Sequence, residues 1–147
     1  MDEIKQIVIF KLDNVQYGFP IGQINEIINF VAPIEIPDVP DYIEGLISLR
    51  EKVYTVISLR NFLGMGKSPA DGNTKIMIAT AGRVGFLVDE VSMIVAPKEE
   101  EVDVADDLPV YIDKDYLLYI LKIDGEITIV LNMHGILDTN ARAEEAV

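Results

Sequence analysis

The sequence predicts an all-β fold in which two small, closed or nearly closed barrels come from two related halves of one chain. Three observations carry this. Short apolar runs rich in Ile, Val, Tyr and Phe recur along the chain, each broken by a tight-turn pair. The pattern of the first half returns in the second. Helix signals are few and short, and roughly five strands per half suit a small barrel, whose closure hides sheet edges.

The runs come in four hairpins. Residues 6–12 lead through Asp13-Asn14 to residues 15–21, and residues 46–49 lead through a turn near Glu51-Lys52 to residues 53–59. Residues 75–80 lead through Ala81-Gly82 to residues 83–88, and residues 117–123 lead through Asp124-Gly125 to residues 126–131. Asp-Gly favours a two-residue turn because both central residues need positive φ, whereas Glu-Lys suits one poorly. Pro37 and Pro40 mark the first crossover, and Pro109 marks its counterpart. One helical turn is expected at residues 38–42 and another at 60–63. A terminal helix is expected over 139–147, with Thr139 or Asn140 as its N-cap.

The halves align with two offsets. YGFPIGQINEII (residues 17–28) lies over VGFLVDEVSMIV (residues 84–95), so Gly18-Phe19 falls on Gly85-Phe86 at an offset of 67. TVISLRNFL (residues 55–63) lies over IVLNMHGIL (residues 129–137) at an offset of 74. The extra length falls in the acidic stretch of residues 98–107. A half of about 70 residues has a marginal core alone, so the two are expected to pack on each other.

Composition excludes several functions. Twelve Lys and Arg against 25 Asp and Glu leave a net charge of −13. With no basic cluster, the chain would repel a nucleic-acid backbone. It has no cysteine and a single histidine, His134, which rules out disulfides, thiolate chemistry and histidine pairs. No apolar run approaches the ~20 residues of a membrane span, and the acidic start opens no signal peptide. A soluble cytoplasmic protein without cofactor or metal is expected.

Few residues stand out as site candidates. His134 reads as a surface or capping residue, and none of the four serines sits in a nucleophile elbow. Asp103, Asp106, Asp107, Asp113 and Asp115 lack calcium-loop spacing and read as a solvated face. Among them Val104, Leu108 and Val110 are either core anchors or an interface patch. Arg50 ends a strongly apolar strand in an acidic chain. Its planar fork suits a carboxylate, either of a partner or of Glu26, Glu44 or Glu51 within the chain. These residues describe a non-enzymatic binding module.

Three segments carry a family resemblance: YGFPIGQINEII, PDVPDYIEGLISLREKVYTVISLRNFLGM and KIMIATAGRVGFLVDEVSMIV. They resemble the chemotaxis coupling proteins of the CheW family over about residues 5–138. The resemblance implies two five-stranded SH3-like β-barrel subdomains packed side by side, with short helical turns and a short C-terminal helix. The first would cover roughly 14–72 and the second 73–138, with strand 5–12 shared and 139–147 as a tail or helix. It also implies a cytoplasmic adaptor that holds the histidine kinase CheA, through its regulatory domain, against the tip of methyl-accepting chemoreceptors. Ile24, Glu26, Gly45 and Arg50 match places associated with receptor contact. Leu108 and Val110 are the candidates for kinase contact, from their position and mixed polarity.

The chain departs from the family pattern at three places. Glu51 replaces a turn glycine, Ser58 replaces a carboxylate, and Tyr119 stands where glycine is frequent. Two other readings are a small-ligand or cation-binding barrel using the acidic loop 98–115, and a CheW-like adaptor for a kinase outside chemotaxis.

Overall fold

The computed structural model describes residues 6–104 and 112–145. Leu108 and Val110 lie outside them. Among the described residues eleven strands form two sheets. The strands are β1 (Ile7–Leu12), β2 (Val15–Pro20), β3 (Ile24–Asn29), β4 (Ile43–Leu49), β5 (Lys52–Ser58), β6 (Lys75–Ala79), β7 (Val84–Val88), β8 (Glu90–Val95), β9 (Val102–Val104), β10 (Leu117–Ile123) and β11 (Glu126–Leu131). A one-turn helix α1 (Leu59–Phe62) follows β5, and α2 (Met133–Glu145) follows β11. Among the described residues no helix is long and apolar enough to cross a membrane.

The sheets have the orders β8-β1-β2-β11-β10-β9 and β3-β6-β7-β5-β4. Each half of the sequence repeat therefore gives strands to both sheets. The spatial units follow the sheets. One holds the described residues of Met1–Phe10, Asn14–Ile21 and Ser92–Val147; the other holds Lys11–Asp13 and Gly22–Val91. The ranges 14–72 and 73–138 follow the repeat along the chain, whereas in space β6 and β7 join the first-half strands and β2 joins the second.

Strand register reproduces both sequence offsets. In β4–β5, Ile43 faces Ile57, Gly45 faces Val56 and Leu46 faces Thr55. In β10–β11, Leu117 faces Leu131, Tyr119 faces Val130 and Ile120 faces Ile129, an offset of 74 throughout. Both ladders shift register at the same place, between Ile43 and Gly45 and between Leu117 and Tyr119. The parallel pairs also correspond. Thr55–Val84 and Val56–Gly85 match Ile129–Tyr17 and Val130–Gly18, so the offset of 67 returns with the partners exchanged. Both glycines let a neighbouring strand come close: a Cβ on Gly18 would lie 2.5 Å from Ile7 Cγ2, and one on Gly85 would lie 2.7 Å from Ile76 Cγ2. Phe19 and Phe86, the residues after them, are fully buried.

Each unit has its own core. Ile7, Ile9, Leu121 and Val130 centre one, with Tyr119 packed against them. Ile47, Val56, Ile76 and Ile78 centre the other. The sixth strand of the larger sheet corresponds to a single bridge in the smaller one. Asp103 of β9 faces Ile120, and Ile34 bridges Leu46, the residue 74 positions before Ile120.

Several local expectations need correction. The β4–β5 turn is Arg50–Glu51, one residue before the expected pair, with φ of 50° and 66°. The β6–β7 turn is Gly82–Arg83, one residue after it, with φ of 79° and 49°. Sheet twist demands two consecutive positive-φ residues there, and ladder register decides which two. Residues 38–42 form turns rather than a helical turn, with Asp38 at φ 61° after Pro37. Helix α2 begins at Met133 rather than 139, and Asn132 Oδ1 accepts from the Gly135 N–H at 3.4 Å. Its buried face is Met133, Ile136 and Asn140, at helical spacing. Thr139 lies inside the helix, with its hydroxyl 2.9 Å from that of Tyr116.

Candidate functional site

The smaller sheet brings Ile24, Glu26, Gly45 and Arg50 into one unit. Ile24 and Glu26 lie on edge strand β3, at the register shift against β6. Gly45 lies on β4 at the opposite edge, and Arg50 tips the β4–β5 hairpin. The edges approach each other. The Ile34 N–H donates to the Leu46 carbonyl at 2.8 Å, and the Leu46 N–H donates back at 2.9 Å. The Arg50 guanidinium then grips Glu26 through both of its terminal nitrogens. Nη1 donates to Oε1, and Nη2 donates to Oε2 at 2.9 Å. Of the three carboxylates open to Arg50 in the sequence, the fold selects Glu26. Glu44 instead sits 3.8 Å from Lys67.

This pair stays at the surface. The Arg50 side chain is 71% exposed and that of Glu26 22%. The hydrogen bonds from Arg50 hold the Glu26 carboxyl below the usual carboxylate range, against desolvation, and the charge of Arg50 adds to them. Any stability from this shift is present above the ordinary carboxylate range and lost as pH falls through the lowered value. Exposed pairs contribute little to folding, so Arg50 can be spared for binding.

Gly45 has a different place. It is buried at φ 140°, and an added Cβ would overlap the carbonyl of Ile34. It shapes the site by letting residues 34–35 cross β4, and it offers no surface of its own.

A second carboxylate cluster lies in the same unit, and sequence reasoning missed it. Arg60, whose side chain is only 12% exposed, bonds Asp13 and Asp89 through Nη1, the latter at 2.9 Å, and donates from Nε to the Gly66 carbonyl at 3.1 Å. The Asp13 N–H donates to Asp89 Oδ2 at 2.9 Å. The Asp13 hydrogen bond, against some desolvation, raises the Arg60 pKa above its ordinary value. The signal in the sequence was an arginine one residue into a helical turn after a strand; nothing local named its partners, 47 and 29 residues away.

The departures from the family pattern now have physical readings. Glu51 still makes a two-residue turn, in a conformation glycine would adopt freely. Ser58 caps α1 by accepting the Asn61 N–H at 3.2 Å, the task a carboxylate would perform. Tyr119 occupies the position equivalent to Gly45 and fills the core of its unit; burial raises its pKa. Among the described residues no three His, Cys, Asp or Glu gather as metal ligands. Asp106 and Asp107 lie outside the described residues.

Comparison with known proteins agrees with this arrangement. The family model for the CheW-like domain matches residues 6–141. The chemotaxis protein CheW of Bacillus subtilis is 30% identical over 139 residues, which cover 93% of this chain and 85% of that protein. The CheW of Klebsiella aerogenes is 28% identical over 142 residues, covering 95% and 85%. The crystal structure of the scaffolding protein TtCheW from Thermoanaerobacter tengcongensis matches with a TM-score of 0.80 at 30% identity, covering 87% of this chain and 88% of that one. Since the match runs through nearly the whole chain and the fold agrees with it, this chain belongs to the CheW family.

Proposed function

We propose that this chain is a non-enzymatic, cytoplasmic adaptor of bacterial chemotaxis that couples chemoreceptors to the histidine kinase CheA by binding both at once. The observation that carries this reading is the exposed Arg50–Glu26 pair, held on a two-residue turn in a chain of the CheW family. A short turn fixes the Arg50 backbone, and Glu26 fixes its guanidinium plane. A partner thus meets a preorganised fork and loses little side-chain entropy on binding. Ile24, two residues before Glu26 at the β3 register shift, adds apolar area to this reading, and Gly45 lets residues 34–35 cross β4.

The kinase side of the proposal rests on Leu108 and Val110, apolar residues in an acidic stretch. Binding the receptor through the Arg50 site and the kinase through Leu108 and Val110 would be bivalent. In an array the second contact forms at high effective concentration, so weak single contacts give strong overall attachment. Receptor state then passes to the kinase as a coupling of about 1–3 kcal/mol.

Titration calorimetry with a receptor hairpin fragment tests the reading. Arg50→Ala should raise Kd about tenfold, as binding hot spots do. It should leave Tm within about 1 °C, since the pair it breaks is exposed. An unchanged Kd, or a large fall in Tm with binding intact, would show that the pair serves folding instead.

A further inference from the structure

The geometry points to Arg83, with Lys52 beside it, as a second receptor-recognition element that extends the Arg50 surface and takes a carboxylate of the partner. This inference rests on the receptor-binding reading above and names the chemistry of the receptor face that the site fits.

Strand register brings the elements together. β5 and β7 run parallel, and the Thr55 N–H donates to the Arg83 carbonyl at 2.9 Å. The tips Arg50–Glu51 and Gly82–Arg83 are therefore neighbours at one end of this unit. The start of β3 lies at the same end, because Ile24 faces Ala79 at the end of β6.

Backbone strain is concentrated there. Arg50, Glu51 and Arg83 all hold positive φ, at 50°, 66° and 49°. The other two hairpins put Asp13-Asn14 and Asp124-Gly125 at these positions, residue types that tolerate the left-handed region. Charged residues that persist where glycine would fit without strain point to a task outside the fold.

Charge gives the partner's chemistry. The chain carries −13, yet this end collects Arg50, Lys52 and Arg83. Glu26 neutralises Arg50. Lys52 and Arg83 are exposed, and neither side chain makes an ion pair or hydrogen bond among the described residues. Only Glu51 opposes them on the two tips, so the free charge offered to a partner is positive. Val53 follows Lys52 in β5 and so turns to the other face of the strand. The complementary chemistry on the partner is a carboxylate.

Arg83→Gly separates this role from a structural one, because it removes the charge and relieves the backbone together. The expected result is an unchanged or raised Tm, a Kd for the receptor fragment about five- to tenfold higher, and a weaker dependence of Kd on salt. Arg83→Lys should keep most of the affinity. Affinity for the kinase regulatory domain should not change. The inference is overturned if Arg83→Gly leaves receptor Kd unchanged while Arg50→Ala weakens it, or if the loss falls on kinase binding. If the wild-type chain does not bind the receptor fragment at all, the functional reading and this inference fall together.

Discussion

Gly45→Ala should cost about 4 kcal/mol of stability and lower Tm by roughly 12 °C, the largest effect expected of any single methyl group in the smaller-sheet unit. The added Cβ would overlap the Ile34 carbonyl and approach Glu35 N at 3.2 Å. These are backbone atoms, so no rotamer change relieves the clash. Moving residues 34–35 away breaks the two hydrogen bonds between Ile34 and Leu46, worth about 1 kcal/mol each. Alanine must also hold φ 140°, which costs a further 1–3 kcal/mol or so. Gly22→Ala is the control, since nothing lies within 4 Å of its added Cβ and φ is ordinary. A calorimetric loss below about 1 kcal/mol for Gly45→Ala would mean that the crossing over β4 is not rigid. Under the proposed receptor reading, Gly45→Ala should also weaken receptor binding, through loss of the crossing of residues 34–35 rather than through a contact of its own.

Arg60→Ala should cost about 2 kcal/mol. The side chain is mostly buried and stands between two carboxylates, so its removal leaves Asp13 and Asp89 facing each other without a cation. The value is below that of a fully buried pair because Asp13 is 58% exposed. Arg60→Lys should recover only part of the loss: an ammonium gives one point charge and cannot span both carboxylates and the Gly66 carbonyl. Chemical denaturation of both variants checks this, and an Arg60→Lys variant as stable as the wild-type chain would show that charge alone matters there.

The repeat was legible in the sequence because its two offsets are written in apolar periodicity and in the Gly-Phe step, and strand register returns both. Which hairpin pairs with which was not legible. β2 and β7 have the same pattern, and a periodicity of two names the buried face of a strand but never its neighbour. Turn positions were off by one residue at Arg50–Glu51 and Gly82–Arg83, since neither Glu-Lys nor Ala-Gly is a strong turn pair and ladder register alone decides which two residues take positive φ. Helix α2 was placed too late because Thr139 and Asn140 offer N-cap side chains, whereas the helix already begins at Met133. In the structure Gly135 is needed, since a Cβ there would overlap the Asp115 carbonyl. Of the candidate site, the arginine was legible and its partner was not. Glu26, Glu44 and Glu51 were equivalent until the β3 edge came round to the β4–β5 tip.

The proposed adaptor must hold two partners simultaneously, and a sequential capture assay measures this. A receptor hairpin fragment is fixed to a sensor surface, this protein is added to saturation, and the CheA regulatory domain follows. Bridging predicts a further mass gain from the kinase domain that needs the adaptor, with Arg50→Ala lowering the first step and Leu108→Asp only the second. If each partner binds the adaptor alone but the kinase domain displaces it from the receptor, the two sites overlap and bridging is contradicted.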